Sequence, residues 1–117
     1  MSLLSTLARL VRATGYSVEK IADNVYDQDG LRTRHNHSFM NDPAFAAAYQ
    51  RGVQAAERHY RWRWRVHVGL WAAFAASKLE GDFIECGVNH GFLSSAIMRS
   101  LDWDATNKTF YLLGWRR

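Results

Sequence analysis

The sequence of 117 residues has a single cysteine, Cys86, and no long apolar stretch. One cysteine excludes a disulfide within the chain and is typical of proteins in a reducing cytoplasm. The longest apolar stretch, residues 66–76, is interrupted by His67 and falls short of the ~20 residues that a membrane-spanning helix needs. Internal repeats and low-complexity segments are also absent. We therefore expect a cytoplasmic protein that has no membrane span.

The composition is that of a folded globular chain. Hydrophobic residues make up 48% of the sequence and five tryptophans are present, which is too apolar for a disordered polypeptide. The length allows one small domain at most. The formal charge of +4 and the pI near 9.6 raise the question of a nucleic-acid partner.

The first segment, residues 1–41, is predicted to be an amphipathic helix followed by a loop. Apolar residues recur at helical spacing over residues 2–13. The opening has no long apolar core and no small-residue cleavage site, so it favours a helix over a signal peptide. Residues 16–41 are polar, and we expect a loop there with one short helix near residues 18–25.

The second segment, residues 42–80, is predicted to be helical. Asp42 suits the N-cap, and Pro43 suits the first helical position, where a missing N–H breaks no helical hydrogen bond. The alanine-rich stretch up to Glu57 favours a helix. Residues 60–68 alternate apolar side chains with Arg or His, which by itself favours a strand. Because the stretch continues unbroken into strong helix formers, we choose a helix.

The interleaved arginines and tryptophans of residues 58–67 leave a second function open. Such a pattern can stack nucleic-acid bases and neutralise phosphates. On a helix, however, Arg61 and Arg63 point about 200° apart, and we expect the tryptophans to pack inward while the arginines reach solvent. A small basic module that binds nucleic acid or another protein is the alternative interpretation, although solvated or paired arginines are favoured over nucleic-acid contacts.

The third segment, residues 81–117, has the order of a parallel β-α-β unit. A short apolar strand over residues 82–86 contains Glu85 near its end. Two glycines four positions apart and a helix over residues 91–101 follow, and a second strand is predicted over residues 108–113. Strand, acid, glycine turn and helix in this order are typical of the opening of a nucleotide-binding βαβ unit.

Glu85 and the two glycines indicate a site for a small zwitterion or a nucleoside. A carboxylate at the carboxyl end of a strand can accept hydrogen bonds from a ligand ammonium or hydroxyl, whereas inside the strand it would be costly to bury. Gly87 permits a sharp turn, and Gly91 lets the helix start close to the strand. The N–H groups at that helix start favour an anionic ligand group. Cys86 is expected to be buried, because parallel strands are covered on both faces.

These residues resemble a known family. The stretch ECGVNHG is similar to the first motif of class I S-adenosylmethionine-dependent methyltransferases. More narrowly, GDFIECGVNHGFLSSAIM followed by KTFYLL resembles the macrocin O-methyltransferase family, and the likeness extends upstream through NDPAFAAAYQRG and WRWRVHVGLWAAFA. The resemblance implies S-adenosylmethionine as the cofactor, held at its methionine end. The contacts that it implies are Glu85, Gly87, Asn89, Gly91 and Ser94.

The sequence departs from the family pattern after the second strand. There the family has an aspartate, as nucleoside-binding units in general have an acid about 20 residues past the glycine loop to bind the ribose hydroxyls. This sequence has Gly114 at that place and no acid after it. The acceptor pocket and the acidic magnesium ligands of the family have no counterpart, so no catalytic and no metal-binding residue is predicted.

We therefore expect an α/β chain in which N-terminal helices precede the first β-α-β of a Rossmann-like methyltransferase sheet that is incomplete. The expected function is that of the N-terminal portion of an S-adenosylmethionine-dependent O-methyltransferase, truncated, whose cofactor binding is weak or lost. Two parallel strands alone leave exposed edges and uncovered faces, so we also expect self-association through the sheet edges. A remnant that binds no ligand is the third interpretation.

Overall fold

The computed structural model describes residues 3–18 and 24–114, which form a mixed α/β structure. None of the helices in these two ranges is long and apolar enough to cross a bilayer. In chain order the elements are α1 Leu3–Ala13, β1 Tyr26–Gln28, β2 Leu31–Thr33, α2 Pro43–Ala56, α3 Arg63–Ala76, β3 Phe83–Cys86, α4 Phe92–Ser100 and β4 Phe110–Leu113, with short 3-10 turns at Ser38–Asn41 and Trp103–Ala105.

Helix α1 covers most of the residues for which an amphipathic helix is predicted. None of its side chains is buried, and the leucines of its apolar stripe are largely exposed: Leu3 by 82%, Leu7 by 51% and Leu10 by 64%. The stripe is therefore an apolar surface that the described part of the chain leaves uncovered.

A β-hairpin occupies part of the stretch predicted to be a loop. Strands β1 and β2 pair antiparallel with Tyr26 opposite Thr33, and Asp29 and Gly30 turn between them with φ of 54° and 71°, as a type I′ turn requires. The loop prediction is wrong here because Tyr26 is the one buried residue of the two strands, so the usual alternation is missing. The short helix predicted near residues 18–25 falls largely outside the described residues.

Helix α2 begins where the sequence predicts. The Asp42 carboxylate accepts a hydrogen bond of 2.9 Å from the Ala44 N–H, and Pro43 is the first helical residue. A cap of this kind stabilises a helix by about 1 kcal/mol. The helix ends at Ala56, and the next residue, Glu57, closes it in a left-handed conformation with φ of 52°.

Of the ambiguous residues 60–68, residues 63–68 form the beginning of α3, which confirms the choice of a helix there, whereas residues 60–62 precede the helix. Two tyrosine hydroxyls hold the first turn. The Trp62 N–H donates to the Tyr49 hydroxyl, and the Trp64 N–H donates to the Tyr26 hydroxyl, each at 3.0 Å. These bonds satisfy N–H groups that a helix start otherwise leaves unpaired, and they come from elements distant in sequence.

The expectation that the tryptophans pack inward is confirmed only in part. Trp62 and Trp64 are half-buried, whereas Trp71 is 69% exposed. Val66, rather than a tryptophan, is the most deeply buried residue of α3. Because Val66 and Trp71 lie about 140° apart around the helix, they cannot both face the core.

The core lies between α2, α3 and α4. Phe45 and Tyr49 of α2, Val66 of α3, and Phe92 and Ala96 of α4 form one buried cluster. The rings of Tyr49 and Phe92 meet edge to face with their centroids 5.2 Å apart, a favourable geometry for aromatic rings. Helix α4 thus joins the predicted β-α-β unit to the helices that precede it.

Strands β3 and β4 pair in parallel, as predicted, with Glu85 opposite Leu112. One face of this small sheet is open, since Ile84 and Leu113 are 64% and 53% exposed. Cys86 lies on the same face as Ile84 and is exposed, so the prediction that Cys86 is buried is wrong. A parallel strand is covered on both faces only where other elements supply the cover, and the described residues cover one face.

Candidate functional site

The loop between β3 and α4 is held against the carboxyl end of β4. The N–H groups of Gly87 and Val88 both donate to the Leu113 carbonyl, at 2.7 and 3.1 Å. Gly87 and Gly91 have positive φ values of 82° and 75°, which glycine adopts without the strain that a Cβ introduces. The two glycines therefore have backbone conformations that suit the turn predicted for them.

Asn89 occupies the tip of this loop and is exposed. Its φ is 53°, in the left-handed region that asparagine tolerates better than most other residues. Asn89 therefore has a backbone conformation that glycine also adopts readily.

Glu85 lies near the end of β3, next to the first turn of α4. Burial raises the pKa of Glu85 above its ordinary value of 4.5, and the hydroxyl and N–H of Ser94 oppose that rise. The Oε2 atom of Glu85 is buried and has no hydrogen-bond partner among the described residues. Leaving a buried carboxylate oxygen unpaired is costly. Glu85 therefore has one oxygen that can accept a hydrogen bond from a ligand.

The amino end of α4 faces this carboxylate without a side-chain cap. Gly91 is the N-cap residue and makes no side-chain hydrogen bond to the helix. Ser94 is 1% exposed, and its hydroxyl oxygen lies 3.3 Å from the Gly91 carbonyl oxygen. Because the first N–H groups of a helix carry a partial positive charge, the junction combines one carboxylate with a surface that favours anions.

An apolar groove of about 300 Å³ opens beside Glu85. Small residues of α3 form one wall, and apolar side chains of the sheet and of α4 form the others. Glu85 is the one ionisable side chain among the lining residues, a combination that suits a small ligand with an apolar body. The lining residues are Gly69, Ala72, Ala73, Ala76, Phe83, Ile84, Glu85, Leu93, Ile97 and Phe110.

The structure brings Glu85, Gly91 and Ser94 together, whereas Gly87 and Asn89 shape the loop that connects strand to helix. These are the five residues that the family resemblance implies. The backbone order alone accounts for their proximity, since a strand, a short loop and a helix place the strand end beside the helix start.

The described residues do not form the part of a nucleoside site that contacts the ribose. Gly114 follows β4 where an acid would meet ribose hydroxyls. Within residues 3–18 and 24–114, no group of three or more His, Cys, Asp or Glu side chains is arranged to hold a metal ion.

The arginine-rich turn between α2 and α3 forms a second polar surface. In the sequence, only the alternation of aromatic residues and arginines indicates this surface. The Tyr60 and Trp62 rings stack with their centroids 4.1 Å apart and their planes 10° apart. The Arg58 guanidinium lies 5.3 Å from the Tyr60 centroid, and the Arg65 guanidinium lies 4.9 Å from that of Trp62. Each ring is therefore covered by the other ring on one face and by a cation on the other, which leaves no face for a nucleic-acid base.

Comparison of the chain with protein-family models, curated proteins and solved structures found no match. The methyltransferase resemblance therefore depends on the motif residues themselves and on the elements around them.

Proposed function

We propose that this chain is the N-terminal portion of an S-adenosylmethionine-dependent O-methyltransferase of the cytoplasm. Its β3–α4 junction would bind the methionine end of the cofactor. The observation that best supports this proposal is the state of Glu85. Its Oε2 atom is buried, has no hydrogen-bond partner in the described part of the chain, and lies near the start of helix α4. Ligands of α/β sheets bind at the carboxyl ends of parallel strands, where Glu85 lies. The β3–α4–β4 order with parallel pairing also supports an incomplete Rossmann-like sheet.

The two charges of a methionine group match the two halves of the junction. Its ammonium would donate to Glu85, in a charge-assisted hydrogen bond. Its carboxylate would accept from the first N–H groups of α4, beside Ser94. The loop carrying Gly87, Asn89 and Gly91 lets backbone approach the ligand closely, and the apolar groove suits the thioether and methylene groups.

We expect this binding to be weak. The ribose of the cofactor finds no acid at the end of β4, where Gly114 stands, and the described residues form one wall of the site. Methyl transfer in such a family is a direct displacement at the methyl group of the sulfonium, and this part of the chain contributes to it by positioning the cofactor. We assign no catalytic base here.

The test is a titration with S-adenosylmethionine followed by amide chemical shifts in the nuclear magnetic resonance spectrum. We expect saturable shifts confined to Gly87, Asn89, Gly91 and Ser94, with a dissociation constant near the millimolar range. Glu85→Ala should abolish these shifts because the ammonium loses its acceptor.

Glu80→Ala is the matched control, because Glu80 is an exposed acid just before β3 and its removal changes the charge equally. Shifts that persist in Glu85→Ala, or that are lost equally in Glu80→Ala, would contradict the assignment. So would a spectrum that does not change at any of the four amides. A micromolar dissociation constant lost only in Glu85→Ala would support the site and overturn the expectation of weak binding.

A further inference from the structure

A basic depression is lined by residues that take no part in the β3–α4 junction or in the groove beside Glu85. The depression has a volume of about 650 Å³, and Gln28, His59, Arg61 and Arg63 line it. Gln28 comes from the N-terminal hairpin, and the other three come from the turn into α3. No carboxylate is among these lining residues, so the depression presents hydrogen-bond donors and positive charge.

The guanidinium of Arg63, which lines this depression, is held by two contacts. Its Nη1 donates to Gln28 Oε1 at 3.0 Å, and its carbon lies 5.2 Å from the centroid of the Tyr49 ring. Arg63 is half-buried and first in α3. A guanidinium held this way loses little further freedom when it binds an anion, because its planar fork is already oriented.

His59 shows that the cluster contains more donors than acceptors. The Arg61 N–H donates to His59 Nδ1 at 3.3 Å, and Arg63 Nη2 lies 3.4 Å from His59 Nε2. A neutral imidazole has one acceptor nitrogen, and a protonated one has none. In every protonation state, therefore, at least one N–H of this exposed group faces another N–H instead of an acceptor from the described residues. An oxygen of a bound anion would supply it.

Arg61 adds a guanidinium with no partner within the described residues. Its backbone N–H bonds to His59, and its side chain makes no hydrogen bond or ion pair there. Arg65 differs, since it pairs with Asp29 at 2.8 Å. Arg61 also has a φ of 58°, which is uncommon for a residue with a Cβ.

We propose that this depression is a binding site for an oxyanion of the phosphate class, with Arg61, Arg63 and His59 as donors. Arginine recognises phosphate oxygens through paired N–H groups. The stacked Tyr60–Trp62 pair is covered on both sides, so nucleic-acid bases gain nothing by stacking there. The group recognised is the phosphate itself, carried either by a small molecule or by a nucleic-acid backbone.

The test uses calorimetric titration with inorganic pyrophosphate and, separately, with a short thymidine oligonucleotide. The main variant is Arg61→Gly, because it removes the guanidinium while glycine suits the φ of 58°. We expect pyrophosphate to bind wild type and Arg61→Gly to weaken it by about tenfold or more, the effect of losing a charged hydrogen bond. Arg63→Gln should weaken it similarly.

The matched control is Arg9→Ala, because Arg9 is an exposed arginine of α1 and its loss lowers the net charge equally. It should change the affinity by less than about twofold, since exposed distant charges are screened by salt. Pyrophosphate binding that the oligonucleotide does not surpass identifies a small phosphorylated ligand. Tighter oligonucleotide binding that pyrophosphate displaces identifies a nucleic-acid backbone. The proposal is overturned if neither probe binds, or if Arg9→Ala and Arg61→Gly weaken binding equally.

Discussion

At the residue scale, Glu85 couples the stability of the fold to pH. Burial raises the pKa of Glu85 above 4.5 in the folded chain, so the folded state binds a proton more tightly than the unfolded state does. The stabilisation that this proton gives is complete below pH 4.5 and is lost as the pH rises through the folded pKa. Glu85→Gln keeps the shape of the side chain and stays neutral at all these pH values.

We therefore expect wild type to lose stability relative to Glu85→Gln as the pH rises above 4.5. Urea midpoints of both proteins, measured side by side across this range, test the prediction because the other titrating groups are common to both. Parallel curves would contradict it. Saturating S-adenosylmethionine should reduce the difference, since a bound ammonium lowers the pKa of a carboxyl group.

The residues of the two sites differ in how well sequence alone identifies them. Glu85, Gly91 and Ser94 were predictable together because strand, loop and helix are consecutive, and local geometry suffices to bring them close. The oxyanion depression was not predictable, because Arg63 is oriented by Gln28, 35 positions away in sequence. A helical projection of residues 58–67 also separates Arg61 from Arg63, whereas Arg61 in fact precedes the helix.

At the element scale, two helical glycines offer a test of how α4 packs. A Cβ on Gly52 of α2 would lie 2.7 Å from the Phe92 ring and from the Phe92 carbonyl oxygen. A Cβ on Gly69 of α3 would lie 2.8 Å from Leu93 Cδ1, the tip of a flexible side chain. The Leu93 methyl group can rotate away from an added Cβ, whereas the Phe92 backbone cannot. Only a Cβ at Gly52 therefore requires α4 to move.

We expect Gly52→Ala to lower the free energy of unfolding by about 1–3 kcal/mol, as overpacking does, despite the gain of up to about 1 kcal/mol that alanine brings to a helix. Gly69→Ala keeps that gain and should be less destabilising by at least about 1 kcal/mol. Urea denaturation of the two variants decides the point. Equal effects would mean that α2 and α4 are not in the close contact described.

The elements themselves were predictable where a local signal is strong. Asp42 and Pro43 fix the start of α2 through a cap and a proline, both of which act within one turn. The hairpin of β1 and β2 lacks such a signal apart from its Asp29–Gly30 turn. Its one buried side chain, Tyr26, is held by the backbone of α3 through a hydrogen bond to the Trp64 N–H, and no local pattern encodes that contact.

At the scale of the whole molecule, the chain exposes more surface than a compact monomer of its mass. Its accessible surface is 9317 Å², whereas a compact protein of 13.5 kDa has about 6,500 Å². The radius of gyration is 19.4 Å, against about 13 Å for a compact chain of this length. The leucines of α1 and the open face of the β3–β4 sheet account for part of the excess.

We expect the isolated chain to self-associate through the β3–β4 sheet. An open strand edge offers unpaired N–H and C=O groups to a second copy, and the apolar side chains of Ile84 and Leu113 lie on the face beside it. Stable dimers bury about 600–1,000 Å² per partner, well within the excess. Sedimentation velocity over a range of concentrations should show a concentration-dependent mass for wild type.

Lysine at the open face should oppose this association, because two copies would then bury like charges against each other. Ile84→Lys and Leu113→Lys are expected to sediment as monomers, whereas Asn107→Lys, an exposed polar site before β4, should behave as wild type. Leu4→Lys tests the alternative contact surface, which is the apolar stripe of α1, since Leu4 is 77% exposed there. If Leu4→Lys alone gives monomers, α1 and not the sheet is the contact. If wild type is monomeric throughout, the exposed sheet is stable without a partner and the expectation of self-association is wrong.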